Sequence, residues 1–153
     1  MKKAQITGLG FHVPERIVTN HDLEKIMDTS DQWIQERSGI TQRHWVGEES
    51  NASILAIQAA KNAIVDAKID ENDIDLVICA TLTSDYFFPG ISNQIQYELG
   101  MRTVGAFDIK AACSAFIYSL SIGDQFIRTE QYKTILVVGA EVQSTALDIS
   151  EAG

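Results

Sequence analysis

A chain of 153 residues, 45% hydrophobic and 22% charged, is long enough to bury the core of one compact soluble domain. Its formal net charge of −9 and pI near 4.7 exclude a broad non-specific grip on nucleic acid or on an anionic membrane surface. No apolar run approaches the roughly 18 residues of a spanning helix. The basic start, Met1–Ala4, leads into Gly8, Gly10, His12 and Pro14 instead of a secretory apolar stretch, so a cytoplasmic location is expected.

In chain order, residues 4–11 read as a strand ending in glycines. Asn20 is a candidate cap for a helix running to Met27, and Ser30 for another that stops at Gly39. Over residues 51–68, Ile54, Ile57, Ala60, Ile64 and Ala67 recur at spacings of three and four, one apolar helix face. Residues 76–80 (Leu-Val-Ile-Cys-Ala) form a continuous apolar run, as in a strand buried on both faces. Pro89 opens a helix that Gly100 closes. Residues 105–109 are a short strand, and residues 114–130 a helix with Phe116, Leu120, Gly123 and Ile127 on one side. Thr134–Val138 is the last strong element. Strand and helix alternate throughout, which predicts an α/β fold with parallel strands and helical crossovers. The tail Gly139–Gly153 carries no clear closing element, as expected of half of something larger.

Two cysteines are present, Cys79 and Cys113, without a Cys-x-x-Cys pair or a His/Cys cluster, so no metal site is expected, and a reducing cytosol disfavours a disulfide. Cys79 lies inside the apolar strand and reads as core. Cys113 stands where strand 105–109 passes into the next helix. The positive end of a helix favours a thiolate, and the carboxyl end of an open sheet is where α/β folds bind ligands. Ala111, Ala112, Ser114 and Ala115 leave room for a bulky thioester. A buried, inert thiol is the other reading of a lone cysteine, and position alone leaves both open.

Residues 107–116, Phe-Asp-Ile-Lys-Ala-Ala-Cys-Ser-Ala-Phe, resemble the nucleophile segment of β-ketoacyl-acyl carrier protein synthase III, a family of thiolase-like condensing enzymes. Further blocks fit the family in order: Gly8-Leu9-Gly10 with Pro14, Thr19-Asn20, Leu23 to Lys25, Asp28 to Ile34, Arg37 to Ile40 with Arg43-His44, Phe88-Pro89 with Gln94 to Gln96, and Val137 to Glu141. The resemblance covers essentially the whole chain. It implies a thiolase-like fold in which residues 1–153 are the first α/β half, a mixed five-stranded sheet with helices, of a five-layer α-β-α-β-α arrangement.

The resemblance also implies a reaction: Cys113 takes an acyl group, by default acetyl, from an acyl-coenzyme A. Malonyl-acyl carrier protein then loses carbon dioxide and attacks that acyl group, starting a fatty acid. The family's His and Asn for this second step belong to its second half, and none of His12, His21 or His44 matches them. This chain is therefore expected to accept an acyl group without finishing the condensation. Trp33 and Arg37, four apart, share a helix face and by spacing alone read as a surface cation–π pair. The family match places them, with Thr29, on the adenine nucleotide end of coenzyme A, which is a substrate; no permanent cofactor is implied. Ser38 stands where many members have Thr, and Ser114-Ala115 departs slightly from the usual small pair. Phe88 matches an aromatic residue near the acyl pocket of the partner subunit in a homodimer. The other readings are a condensing enzyme of secondary metabolism, and a non-catalytic thiolase-fold fragment serving in dimerisation.

Overall fold

The computed structural model describes residues 2–145. In order these form β1 (Ile17–Thr19), α1 (Asn20–Leu23), α2 (Asp31–Ser38), β2 (Gln42–His44), α3 (Ala52–Ala67), β3 (Leu76–Ala80), α4 (Ile91–Glu98), β4 (Gly105–Ile109), α5 (Ala115–Arg128) and β5 (Ile135–Gly139), with 3-10 turns at Glu71–Asp73 and Ala112–Ser114. The chain divides into two compact units, one built from Met1–His12 with Asn51–Glu141, the other from Val13–Ser50 with described residues 142–145. The last eight residues of the tail lie outside the described residues. No described helix is long and apolar enough to cross a membrane.

In the first unit β3 is the middle of a parallel sheet ordered β4-β3-β5, with Leu76 opposite both Gly105 and Ile135. All five β3 residues are buried. A strand covered on both faces has no solvent side, which is why it reads as an unbroken apolar run. Helices α3 and α4 pack on each other, α4 also on β3 and β4, and α5 on β3 and β5. Of the five strands expected, these three pair in one sheet among the described residues.

Residues 4–11 form no strand. They run along α3, where the Leu9 N–H donates to Asp66 Oδ2 at 2.9 Å and Asn62 Nδ2 donates to the Phe11 carbonyl at 2.9 Å. A Cβ at Gly8 or Gly10 would fall on the α3 backbone at Ala63. The glycines thus serve close approach to a helix, and side chains of α3 replace a strand ladder. A small cavity lined by Thr7, Gly8, Ala67, Ile74 and Ile135 lies alongside.

Two helix faces differ from their reading in sequence. In α3 the buried residues are Ala52, Ser53, Leu55, Ala56, Ala60 and Ile64, while Ile54 is exposed. In α5 the buried stripe is Ala115, Ser119 and Gly123, and Phe116 is exposed. Small residues let a helix sit close on a sheet, so the largest side chains point elsewhere. Helix α4 starts two residues after Pro89, with Gly90 at its cap, and Gly100 closes it at φ 65, in the left-handed region glycine tolerates.

Where the sheet begins, Asp75 accepts hydrogen bonds from the N–H groups of Lys133 (2.8 Å) and Thr134 (3.1 Å) and from Arg102 Nη2 (2.6 Å). These bonds, the Lys133 amide foremost, hold its carboxyl below the usual carboxylate range against the opposing effect of burial. A depressed folded-state value means this stabilisation is complete above the unfolded carboxylate range and fades as pH falls through the folded value. Asp75→Asn is therefore expected to flatten the dependence of the urea midpoint on pH below about pH 4. An unchanged slope would contradict this.

In the second unit β1 and β2 pair antiparallel, Ile17 opposite His44. Thr19, rather than Asn20, caps α1, in a reciprocal box with Asp22, and α1 ends at Leu23 instead of Met27. Asn20 is buried. Its Nδ2 donates to Asp31 Oδ1 (2.8 Å) and the Ile40 carbonyl (2.7 Å), and its Oδ1 accepts from Arg43 Nη2 (2.8 Å). A short polar side chain so placed ties α1, α2 and β2 together. Ser30 Oγ accepts from the Trp33 N–H, and Gly39 at φ 71 ends α2, as its sequence predicts.

Candidate functional site

Strand β4 ends at Ile109, and four residues later Cys113 stands in the 3-10 turn Ala112–Ser114 that runs directly into α5. Ala112 takes φ 47, a left-handed conformation that costs a non-glycine residue about 1 kcal/mol and is concentrated at functional turns. The effect is to turn the chain sharply and leave Cys113 exposed. The 14-residue α5 has no side-chain cap; the preceding 3-10 turn feeds straight into it, with the Ser114 N–H donating to the Ala111 carbonyl and the Ala115 N–H to the Ala112 carbonyl. Phe116, on the first turn of α5, lies over Gly139 at the end of β5; a Cβ there would come within 3.0 Å of its ring.

Cys79 is the opposite case. It is wholly buried in β3, and burial, reinforced by the Asp108 and Glu141 charges, pushes its thiol up. Iodoacetamide at neutral pH is expected to label Cys113 at least roughly a hundredfold faster than Cys79, which reacts only when the core opens. Peptide mapping over time checks this, and equal rates would contradict it.

Loop 81–90, between β3 and α4, displays Tyr86, Phe87 and Phe88, with Phe87 97% and Phe88 82% exposed. Lys110 Nζ sits 5.6 Å from the Phe87 ring centre, a cation–π contact between the loop and the segment leading to Cys113.

Trp33 and Arg37 meet on α2 as their spacing predicts, the guanidinium carbon 4.9 Å from the ring centre, with Trp33 54% exposed. Thr29 immediately precedes the Ser30 cap. These three belong to the second unit and Cys113 to the first. His21 and His44 spend a ring nitrogen locally, on Glu24 and on the Pro14 carbonyl. The Glu24 carboxylate raises the His21 pKa.

Residues 107–153 match the family model of 3-oxoacyl-acyl carrier protein synthase III. The β-ketoacyl-acyl carrier protein synthase III of Ehrlichia canis is 47% identical over 148 residues, 97% of this chain and 46% of that protein. In sequence and in fold the chain matches half of a β-ketoacyl-acyl carrier protein synthase III. The synthase III crystal structure from Aquifex aeolicus superposes with a TM-score of 0.92 at 46% identity, covering 96% of this chain and 47% of that one. A priming β-ketosynthase from a polyketide biosynthetic pathway superposes with a TM-score of 0.92 at 30% identity, over 96% of this chain and 44% of its own. The chain thus spans about half the length of the synthase III relatives it matches, and its α/β architecture is thiolase-like, as theirs is.

Sequence reasoning gave no role to three carboxylates that fix the loops around β3, β4 and β5. Asp85 accepts from the N–H groups of Ala52 and Ser53, Asp108 from those of Ile91 and Ser92, and Glu141 from the Leu82 N–H and the Thr83 hydroxyl. One signal was available for Asp108: a lone carboxylate in the otherwise apolar run Gly105–Ile109 must find donors.

Proposed function

We propose that this chain is the acyl-accepting half of a condensing enzyme that starts fatty acid synthesis, with Cys113 as its nucleophile. The observation that carries the reading is the exposed Cys113 on a strained turn before α5, inside the segment that matches the synthase III model. Its sulfur attacks the carbonyl carbon of an acyl-coenzyme A, acetyl by default. A new carbon–sulfur bond forms, the bond to coenzyme A breaks, and the thiol proton ends on the departing coenzyme A sulfur. One thioester replaces another, so little energy is lost in storage. Decarboxylating attack by malonyl-acyl carrier protein follows in the whole enzyme, with the family's His and Asn.

Trp33, Arg37 and Thr29 hold the nucleotide end of coenzyme A: the indole stacks on adenine and the guanidinium pairs with phosphate. The working protein is a cytoplasmic homodimer with no permanent cofactor, in which Phe88 borders the partner's acyl pocket. In a calorimetric titration with coenzyme A, Arg37→Ala and Trp33→Ala are each expected to weaken binding about tenfold. Unchanged affinity in both would overturn this assignment. A second reading, priming of a different acyl chain in secondary metabolism, draws support from the fold shared with the priming β-ketosynthase; the acyl-coenzyme A that labels Cys113 fastest separates the two.

A further inference from the structure

Helix α2 buries none of its eight residues. A polar helix so short has neither the length nor the apolar face to hold a fixed position by itself, yet it carries the Trp33–Arg37 pair. Its place is set by one buried side chain. Asn20 is 1% exposed and reaches both ends of α2. Its Nδ2 donates to Asp31 Oδ1 (2.8 Å) in the first turn, and to the Ile40 carbonyl (2.7 Å) just past the Gly39 stop. The Asn20 N–H donates to the Thr41 carbonyl at 3.3 Å.

Arg43 of β2 fixes the carboxamide from the other side. Its Nη2 donates to Asn20 Oδ1 (2.8 Å) and its Nη1 to the Val18 carbonyl (3.3 Å). With its N–H groups and its oxygen all engaged, the carboxamide has one orientation. Glu24 adds a further tie at the same helix end, its Oε1 accepting from the Asp31 N–H at 2.7 Å. None of these bonds spends the Trp33 ring or the Arg37 guanidinium, so the network holds the helix and leaves its pair free for a ligand.

We propose that Asn20, with Asp31, is a positioning residue for coenzyme A. By fixing both ends of α2 it sets where the Trp33 ring and the Arg37 guanidinium stand, and so governs the grip on the nucleotide without touching it. The proposal rests on the assignment of the nucleotide end to Trp33 and Arg37.

The test compares the rates at which acetyl-coenzyme A and acetyl-pantetheine, which lacks the nucleotide, acetylate Cys113, each below saturation. Asn20→Asp keeps the acceptor for Arg43 and sets a carboxylate where Asp31 and Ile40 need a donor. Asp31→Ala cuts one tie from the partly exposed end and leaves the buried carboxamide in place, so it reads the same effect should Asn20→Asp not fold. In both, the ratio of the coenzyme A rate to the pantetheine rate is expected to fall about tenfold, as for Trp33→Ala, with the pantetheine rate unchanged. Equal slowing with both donors would mean a purely structural role and overturn the proposal. So would an unchanged ratio. A parent chain that takes both donors equally, or neither, defeats the coenzyme A assignment and the proposal with it. Fluorescence anisotropy decay of Trp33, with the second tryptophan removed by Trp45→Phe, then decides alone whether Asn20 holds α2. A larger fast component in Asn20→Asp is the result expected if it does.

Discussion

Cys113→Ala is expected to abolish acyl uptake from acetyl-coenzyme A while leaving unfolding free energy within about 0.5 kcal/mol of the parent, as for exposed sites generally. The sulfur is exposed, so removing it opens no cavity. The strain of the turn resides at Ala112, which the substitution leaves alone. Cys113→Ser keeps the shape but offers a hydroxyl, a far weaker nucleophile without a base beside it, and uptake should fall by roughly a thousandfold or more. Intact-mass analysis after incubation, with thermal unfolding of the same samples, reads both effects. A serine variant acylated as fast as the parent would contradict the role given to sulfur.

Ile78→Ala carries the largest expected stability effect. Ile78 is fully buried at the centre of β3, between Phe107 on one neighbouring strand and Val137 on the other. Truncation removes transfer free energy and leaves a cavity that the strand ladders on both sides prevent from collapsing. About 3 kcal/mol is expected, within the range seen for buried isoleucines, measured as a lower urea midpoint at unchanged slope. Ile117→Ala, on a residue 63% exposed, is the control and should change stability by less than about 0.5 kcal/mol. Similar losses at both positions would mean that β3 is not the core strand.

What the sequence disclosed follows from the range of the interactions involved. β3 was legible because burial on both faces leaves a mark in five consecutive residues. α2 was legible because Ser30 and Gly39 act within their own helix turns. Residues 4–11 misled because a strand-like pattern does not reveal its neighbour: Gly8 and Gly10 answer to Ala63 on α3, more than fifty residues away. The face of α5 misled because apolar periodicity weights Phe116 and Leu120, while close packing selected Ala115, Ser119 and Gly123. Asn20 looked like a cap because capping residues and buried polar hubs are the same short side chains.

The candidate site divides the same way. The junction holding Cys113 and the i, i+4 pair Trp33–Arg37 are local, and both were read directly. The anchors of the aromatic loop join residues 33, 17 and 59 apart in the chain, and nothing in the local pattern names such partners. The strained φ at Ala112 was equally silent, since alanine gives no hint of a left-handed conformation.

The central claim, that Cys113 is the acyl acceptor, is tested most directly by incubating the chain with acetyl-coenzyme A and mapping the product by peptide mass spectrometry. One acetyl group on the peptide containing Cys113, none on that containing Cys79, and release of an equal amount of free coenzyme A are predicted. Acetylation absent from Cys113, or spread equally over both cysteines, would contradict the account.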